Sequence, residues 1–223
     1  MSTLSRQTRV RLSVTGPIVG VLLSFALLAP CSSVQSYETS ATHAQHTQHA
    51  GHAAGGAVAY LKSVRSYEIP DVTLTNMQGT DVSLRSALRT DQPVLLNFIF
   101  TTCTTICPVL SATFSHAQEA MSPDGLDPRF VSISIDPEHD TPARLRAYAQ
   151  KFNAGARWKF MTGDVDTIVA VQKAFDVYRG DKMNHPLVTL LRASADGPWL
   201  RLEGFTTGAD LAREYRMLLG HGS

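Results

Sequence analysis

The apolar run PVLLNFIF at residues 93–100 constrains the fold more than any other feature of this chain. It is rich in residues that favour strands and shows no regular alternation with polar side chains, which is typical of a strand buried on both faces. Such a strand needs a layer of structure on each side of its sheet, and helices supply those layers in α/β proteins. The run therefore predicts a central strand of an α/β domain.

Further strand and helix patterns follow this run. Strand patterns occupy residues 129–135, 158–163, 185–193 and 197–205, and helical patterns occupy residues 109–121, 140–152, 164–178 and 207–219. Upstream, EIPDVTLTNMQGTDVSL alternates apolar and polar residues around a turn with Gly79, which predicts a β-hairpin. We expect Asp140 or Thr141, and Asp164, to be helix N-caps. The pattern predicts an α/β sandwich of three layers with a central mixed sheet and an N-terminal hairpin.

Residues 1–31 have the order of an export signal, with three arginines, an apolar stretch and then small and polar residues. The apolar stretch is slightly shorter than the about 20 residues of a spanning helix. We expect the rest of the chain to be exported, with the arginines left on the cytoplasmic side. LAPC also resembles a bacterial lipidation box with Cys31 as lipid acceptor, but Pro30 replaces the usual small residue. We therefore favour an uncleaved anchor; Cys31 is otherwise an inert cysteine.

Residues 32–66 are expected to form a flexible tether, because small and polar residues dominate most of this segment. The folded domain is then predicted at residues 67–223. Four tether histidines recur at every third position, and these are His43, His46, His49 and His52. They fit either a loose, unselective metal-binding tract or a polar linker. The formal net charge of +1 gives no electrostatic reason to expect nucleic-acid binding.

Cys103 and Cys107 are the two cysteines outside the N-terminal segment, and they lie where the central strand ends and a helix begins. A helix N-terminus favours thiolate over thiol, and thiolate is both the nucleophile and the metal ligand. Residues four positions apart share one helix face, so this pair can close a disulfide or hold a soft ion. Two sulfurs make a poor zinc site, whereas Cu(I) fits two thiolates and one imidazole.

His185 is the candidate for a third ligand, because it precedes a predicted strand that can lie beside the run at residues 93–100. Three other histidines are weaker candidates. His116 fits a place on a helix surface, His139 lies in a loop, and His221 lies near the C-terminus. Spacing alone does not decide among them.

Four motifs in order resemble the Sco/SenC family of copper-binding, thioredoxin-like proteins over about residues 67–219. They are FTTCTTICP, VSISIDPEHDTP, a helix ending in AFDVY, and NHPLVTLL. The resemblance matches the family's CxxxC and proline to Cys103, Cys107 and Pro108, and its distant histidine to His185. It implies a thioredoxin-like fold and copper held by these two cysteines and this histidine.

The resemblance also implies a role and a place in the cell. The role is maturation of the copper centre of cytochrome c oxidase, with the copper-binding subunit of the oxidase as partner. The place is the periplasmic face of the inner membrane, where a copper donor or a thiol reductant would be a second partner. The N-terminal segment would be the contact with the membrane.

The sequence departs from the family beside the distant histidine. Asn184 stands where the family usually has Asp, and Pro186 stands where it usually has a hydroxyl residue. An acid at position 184 would be able to orient the imidazole, so its loss affects affinity and choice of client. Asp136 fits either a charge that tunes the dithiol or a turn-forming residue before Pro137, and we favour the turn. Met183 fits an exposed loop methionine better than a soft ligand.

Three functions remain compatible with the sequence. The first is a copper metallochaperone that transfers the ion by ligand exchange. The second is a thiol–disulfide reductase, with Cys103 and Cys107 as its redox-active pair, that keeps client cysteines reduced. The third is a peroxidase, which we disfavour because neither cysteine has the expected proline and threonine set around it. The first two can coexist, because only the reduced pair binds copper.

Overall fold

A computed structural model describes Gly16, residues 60–124 and residues 126–220. Residues 60–220 contain one sheet of eight strands in the order β1-β8-β7-β4-β5-β6-β2-β3. The strands are β1 (Tyr60–Arg65), β2 (Thr73–Asn76), β3 (Asp81–Ser83), β4 (Val94–Ile99), β5 (Arg129–Ser134), β6 (Trp158–Thr162), β7 (Val188–Arg192) and β8 (Trp199–Gly204). The helices are α1 (Leu84–Leu88), α2 (Ile106–Met121), α3 (Pro142–Lys151), α4 (Val165–Ala174) and α5 (Gly208–Leu218).

Strand β4 lies at the centre of the sheet, as the apolar run predicts. All six of its residues are buried. It pairs in parallel with β5 and antiparallel with β7, so the predicted mixed sheet is confirmed. The antiparallel partner β7 is the strand that follows His185, and the expected neighbourhood of that strand and residues 93–100 is therefore correct.

Helices cover both faces of this sheet. On one face Phe114 of α2 packs against Phe130 of β5 and Trp158 of β6, with ring centroids 5.5 and 5.6 Å apart. On the other face Phe175, at the end of α4, packs against Phe98 of β4 at 5.9 Å. Successive side chains of a strand point to opposite faces, and these contacts therefore define the three layers.

The segments that begin the helices follow capping rules that the sequence contains. Thr141 caps α3 and Asp164 caps α4, each accepting a backbone N–H three residues ahead.

In the β2–β3 turn Gly79 has φ of +83°, a backbone conformation that favours glycine. Gly208 begins α5, where a Cβ atom would lie 2.5 Å from the Cβ of His116 in α2. Glycine at this position allows α5 to approach α2 closely.

The first strand, β1, lies inside the segment predicted to be tether. Its pairing with β8 extends from Tyr60, opposite Gly204, to Arg65, opposite Trp199. Tyr60 is buried, and its hydroxyl donates to a carboxylate oxygen of Glu214 at 2.6 Å. The sheet therefore begins before Tyr67. Most of the segment, residues 32–59, lies outside the described residues together with the expected anchor at residues 1–31, Gly16 excepted. Within the described ranges, no helix has the length and apolarity to cross a bilayer.

Candidate metal centre

Cys103 and Cys107 occupy the junction of β4 and α2. After β4 the chain turns, and the N–H of Cys103 donates to the carbonyl of Phe100 at 3.2 Å. Cys107 lies in the first turn of α2, where its own N–H points at the Sγ of Cys103 at a donor–acceptor distance of 3.4 Å. Both cysteines are buried and both are free thiols. The helix N-terminus thus faces the first sulfur, as the sequence predicts.

His185 reaches the same junction from β7. A short 3-10 helix, Lys182–Asn184, ends at His185, and β7 then runs antiparallel to β4. The Nε2 atom of His185 lies 3.5 Å from the Sγ of Cys107. The imidazole is 5% exposed and packs edge-on against Phe100, with ring centroids 5.8 Å apart. The fold therefore brings together the three residues that sequence reasoning singles out.

The pKa values of the two thiols are shifted in opposite directions. Burial alone would raise the pKa of Cys103, but hydrogen bonds from the backbone N–H groups of Cys107 and Thr105 outweigh it, and the pKa lies below its usual value. Burial raises the pKa of Cys107 far above the usual value, and the nearby charges of Cys103 and Asp140 add to this effect. Cys103 is therefore the more acidic of the two thiols, and Cys107 keeps its proton to higher pH.

The imidazole of His185 is kept neutral by its surroundings. Burial lowers the pKa of His185 below its usual value, with the backbone of Pro186 acting weakly in the opposite direction. Among the described groups, none forms a hydrogen bond of normal geometry with its buried Nδ1 atom. A neutral imidazole is the form that ligates a metal. The unpartnered Nδ1 matches the replacement of the expected Asp by Asn184.

Asp140 organises the loop that carries Cys103. Its carboxylate accepts the backbone N–H of Thr101 at 3.0 Å and also the hydroxyls of Thr101 and Ser134. The side chain is completely buried. A buried carboxylate with several donors fixes backbone geometry, because each donor would otherwise lose its partner. Asp140 therefore sets the path of the chain from β4 to Cys103.

Cys103, Cys107 and His185 lie near the same junction but are not arranged as a metal site. Across residues 60–124 and 126–220, no three His, Cys, Asp or Glu side chains are grouped so that they can hold one ion as they stand. Two sulfurs and one imidazole are a soft donor set that suits Cu(I).

Comparison with known proteins assigns the chain to a family. The family model described as SCO1/SenC matches residues 64–210. The chain belongs to the SCO1/SenC family. This confirms the resemblance read from the four sequence motifs.

Relatives of this SCO1/SenC chain are similar in sequence and in structure. The SCO1 protein homolog of Bacillus subtilis is 36% identical over 104 residues, which are 46% of this chain and 53% of the relative. The chain thus matches about half the length of that curated relative.

Two solved structures share the fold. One is BsSco, described as a member of the Sco family of cytochrome c oxidase assembly proteins, at 29% identity and a TM-score of 0.58, covering 68% of this chain and 93% of BsSco. The other is copper-bound ScoI of Bradyrhizobium japonicum, at 26% identity and a TM-score of 0.55, covering 68% and 99%. The thioredoxin-like fold expected from the resemblance is confirmed.

Three of the other sequence-predicted ligands lie in the described residues, and all three are exposed to solvent. His116 is exposed on α2, as expected, and the side chain of His139 is 53% exposed and pairs with Asp136. Met183 is 61% exposed, in agreement with its reading as a loop methionine. His221 and the four tether histidines lie outside the described residues.

Asp136 contributes more than the turn that its sequence context favours. Its carbonyl does form the turn, accepting the N–H groups of His139 and Asp140. Its buried side chain, however, accepts from Lys182 Nζ at 2.7 Å and lies 3.0 Å from Nδ1 of His139. Sequence reasoning missed the pairing with Lys182, because 46 positions separate the two residues.

Proposed function

We propose that this chain is a membrane-tethered copper metallochaperone that binds the ion through Cys103, Cys107 and His185. The observation that carries the proposal is the 3.5 Å approach of His185 Nε2 to Cys107 Sγ, next to a second cysteine at the start of α2. A dithiol catalyst needs no imidazole at that place, whereas a selective soft-metal site does. The copper-bound ScoI of Bradyrhizobium japonicum supports copper as the metal.

The client is the copper centre of cytochrome c oxidase. BsSco is described as belonging to a family of assembly proteins for this oxidase, which supports the proposal. The copper-binding subunit of the oxidase receives the ion. A second periplasmic partner either donates copper to this chain or reduces its cysteines. The export-signal order of residues 1–31 supports an anchored domain on the periplasmic face of the inner membrane.

The redox state of the cysteines decides whether copper is held. In the reduced protein both thiols are present, and loading requires the proton of Cys107 to leave. Oxidation by a partner disulfide joins the two sulfurs, passes their two electrons and two protons to the partner, which becomes a dithiol, and removes both thiolate ligands. The disulfide is thus the unloaded form of the same site.

The test is an anaerobic Cu(I) titration of the reduced full-length chain in detergent, against a competing chelator. We expect one tightly bound ion, with binding weakened at least tenfold in His185→Ala and unchanged in His116→Ala, an exposed histidine on α2. A Cys103→Ser/Cys107→Ser variant measures copper held elsewhere, including by the tether histidines. Weak binding that is indifferent to His185 would contradict the proposal and favour a thiol–disulfide reductase.

A further inference from the structure

The loop that carries His185 has little structure of its own to hold it. The short 3-10 helix before it spans Lys182–Asn184. Helices of this kind are marginal and depend on outside contacts. The N–H of His185 donates to the carbonyl of Lys182 at 3.3 Å, and the side chain of Asp181 caps the N–H of Met183 at 2.8 Å. Because His185 is bonded to Lys182 through the backbone, a group that holds Lys182 also holds His185.

Asp136 is the group that holds Lys182. The Nζ atom lies 2.7 Å from Oδ2 of Asp136, whose side chain is 4% exposed against 36% for Lys182. Asp136 lies two residues after the end of β5 and is itself fixed, because its N–H donates to Ser134 Oγ at 3.0 Å. His139 is the other charged or titratable partner of its carboxylate, at 3.0 Å. The ion pair therefore ties the short 3-10 helix before His185 to the end of a central strand.

The same pair extends to the cysteine loop. The hydroxyl of Thr102, the neighbour of Cys103, lies 3.4 Å from Oδ2 of Asp136. The ammonium of Lys182 also lies 5.7 Å from the ring centre of Phe100. Phe100 packs edge-on against His185 and gives its N–H to Cys107 Sγ at 3.5 Å. Lys182 thus lies over Phe100, which itself contacts both the imidazole of His185 and the sulfur of Cys107.

We propose that Lys182 is a positioning residue, and that its ion pair with Asp136 latches the His185 loop over Cys107. Asn184 leaves the imidazole without the expected acidic neighbour, and its Nδ1 atom has no hydrogen bond of normal geometry among the described residues. The loop is therefore positioned through its backbone from Lys182. The inference rests on the proposed function in one respect, because it assigns the positioned imidazole to the copper site.

The first test uses the apo protein and needs no copper. In reduced full-length chain, the ring resonances of His185 are followed by NMR in wild type, Lys182→Leu and Lys182→Arg. We expect one sharp set in wild type, a shifted or broadened set in Lys182→Leu, and recovery of the sharp set in Lys182→Arg. Lys159→Leu removes the same charge from an exposed site on β6 and leaves the spectrum unchanged. Unchanged His185 resonances in Lys182→Leu would overturn the latch.

The second test measures the latch as a pair. Removing a residue that orients a ligand typically lowers metal affinity about 10- to 100-fold. We expect Lys182→Leu and Asp136→Asn each to weaken Cu(I) binding about tenfold, and the double variant to lose little more than either single variant. Leucine is used because methionine would introduce a soft ligand. Additive losses in the double variant would refute action as a unit.

Three further results distinguish a failure of this inference from a failure of the proposed function. If His185→Ala weakens copper binding and Lys182→Leu does not, the latch is wrong and the copper site stands. If neither weakens binding, the proposed function fails, and the apo NMR comparison alone decides the latch. If Lys182→Leu unfolds because Asp136 is left as an unpaired buried charge, the Lys182→Leu/Asp136→Asn double variant removes both the ion pair and that charge, and its His185 resonances must still shift.

Discussion

The Nε2 atom of His185 lies 3.5 Å from the Sγ of Cys107, although 78 positions separate the two residues in the chain. The antiparallel pairing of β4 with β7 creates this proximity, because the loop after β4 and the loop before β7 meet at one edge of the sheet. The site therefore depends on the sheet, and its chemistry on the unequal environments of the two sulfurs.

Alkylation should distinguish the two cysteines. The pKa of Cys103 is lowered, whereas that of Cys107 is raised by burial and its side chain is fully buried. With iodoacetamide on the reduced native protein, we expect Cys103 to react first, with a pH midpoint lower than that of Cys107. Fragment-ion mass spectrometry locates the label. Preferential labelling of Cys107 before unfolding would show that the assignment is reversed.

Copper loading should release protons. Since the pKa of Cys107 is raised, its proton is present near neutral pH and must leave when the thiolate ligates. The lowered pKa of His185 leaves that ring already neutral, so it contributes none. We expect about one proton or more per ion near pH 7, and hence tighter binding as pH rises. Calorimetry in buffers of different ionisation enthalpy counts the protons, and a count of zero would exclude a buried thiol ligand.

Loss of the Asp140 carboxylate should destabilise the fold. Asp140→Ala leaves the N–H of Thr101 and the hydroxyl of Ser134 without their acceptor. Each buried group left unpaired costs roughly 1–3 kcal/mol, so for these two groups we expect a loss of about 2–6 kcal/mol in the free energy of unfolding. Urea denaturation measures it. Asp91→Ala, at an exposed position, is the control and should change stability by less than about 0.5 kcal/mol. Equal losses in both variants would contradict the role of Asp140.

The parts of the fold that the sequence predicts are those with a local signal. The mainly apolar run at β4, the alternation around Gly79 and the caps Thr141 and Asp164 all lie in short stretches of chain. Strand β1 escapes prediction because its partner β8 lies far away in sequence and because low-complexity residues precede it. Helix α1 is five residues long, which is too short to show a helical pattern in the sequence. Its leucines are buried only because the rest of the core packs against them.

The candidate site also has parts that the sequence predicts and parts that it does not. Cys103 and Cys107 follow from spacing at a strand–helix junction, whereas the choice of His185 among the histidines needed the family resemblance or the pairing of β4 with β7. No sequence pattern signals the ion pair of Asp136 with Lys182, because charged residues in loops are common and their partners are set by tertiary packing. That pair is visible only in the folded chain.

The most direct measurement of the central claim is X-ray absorption at the copper edge of the reduced full-length chain, loaded with one equivalent of Cu(I). A matched variant with His43, His46, His49 and His52 changed to glutamine removes the tether histidines as ligands. We expect copper to be bonded to the same atoms in both proteins, two sulfurs and one nitrogen, and to lose the nitrogen in His185→Ala. A shell of sulfur alone, or of nitrogen and oxygen without sulfur, would contradict it.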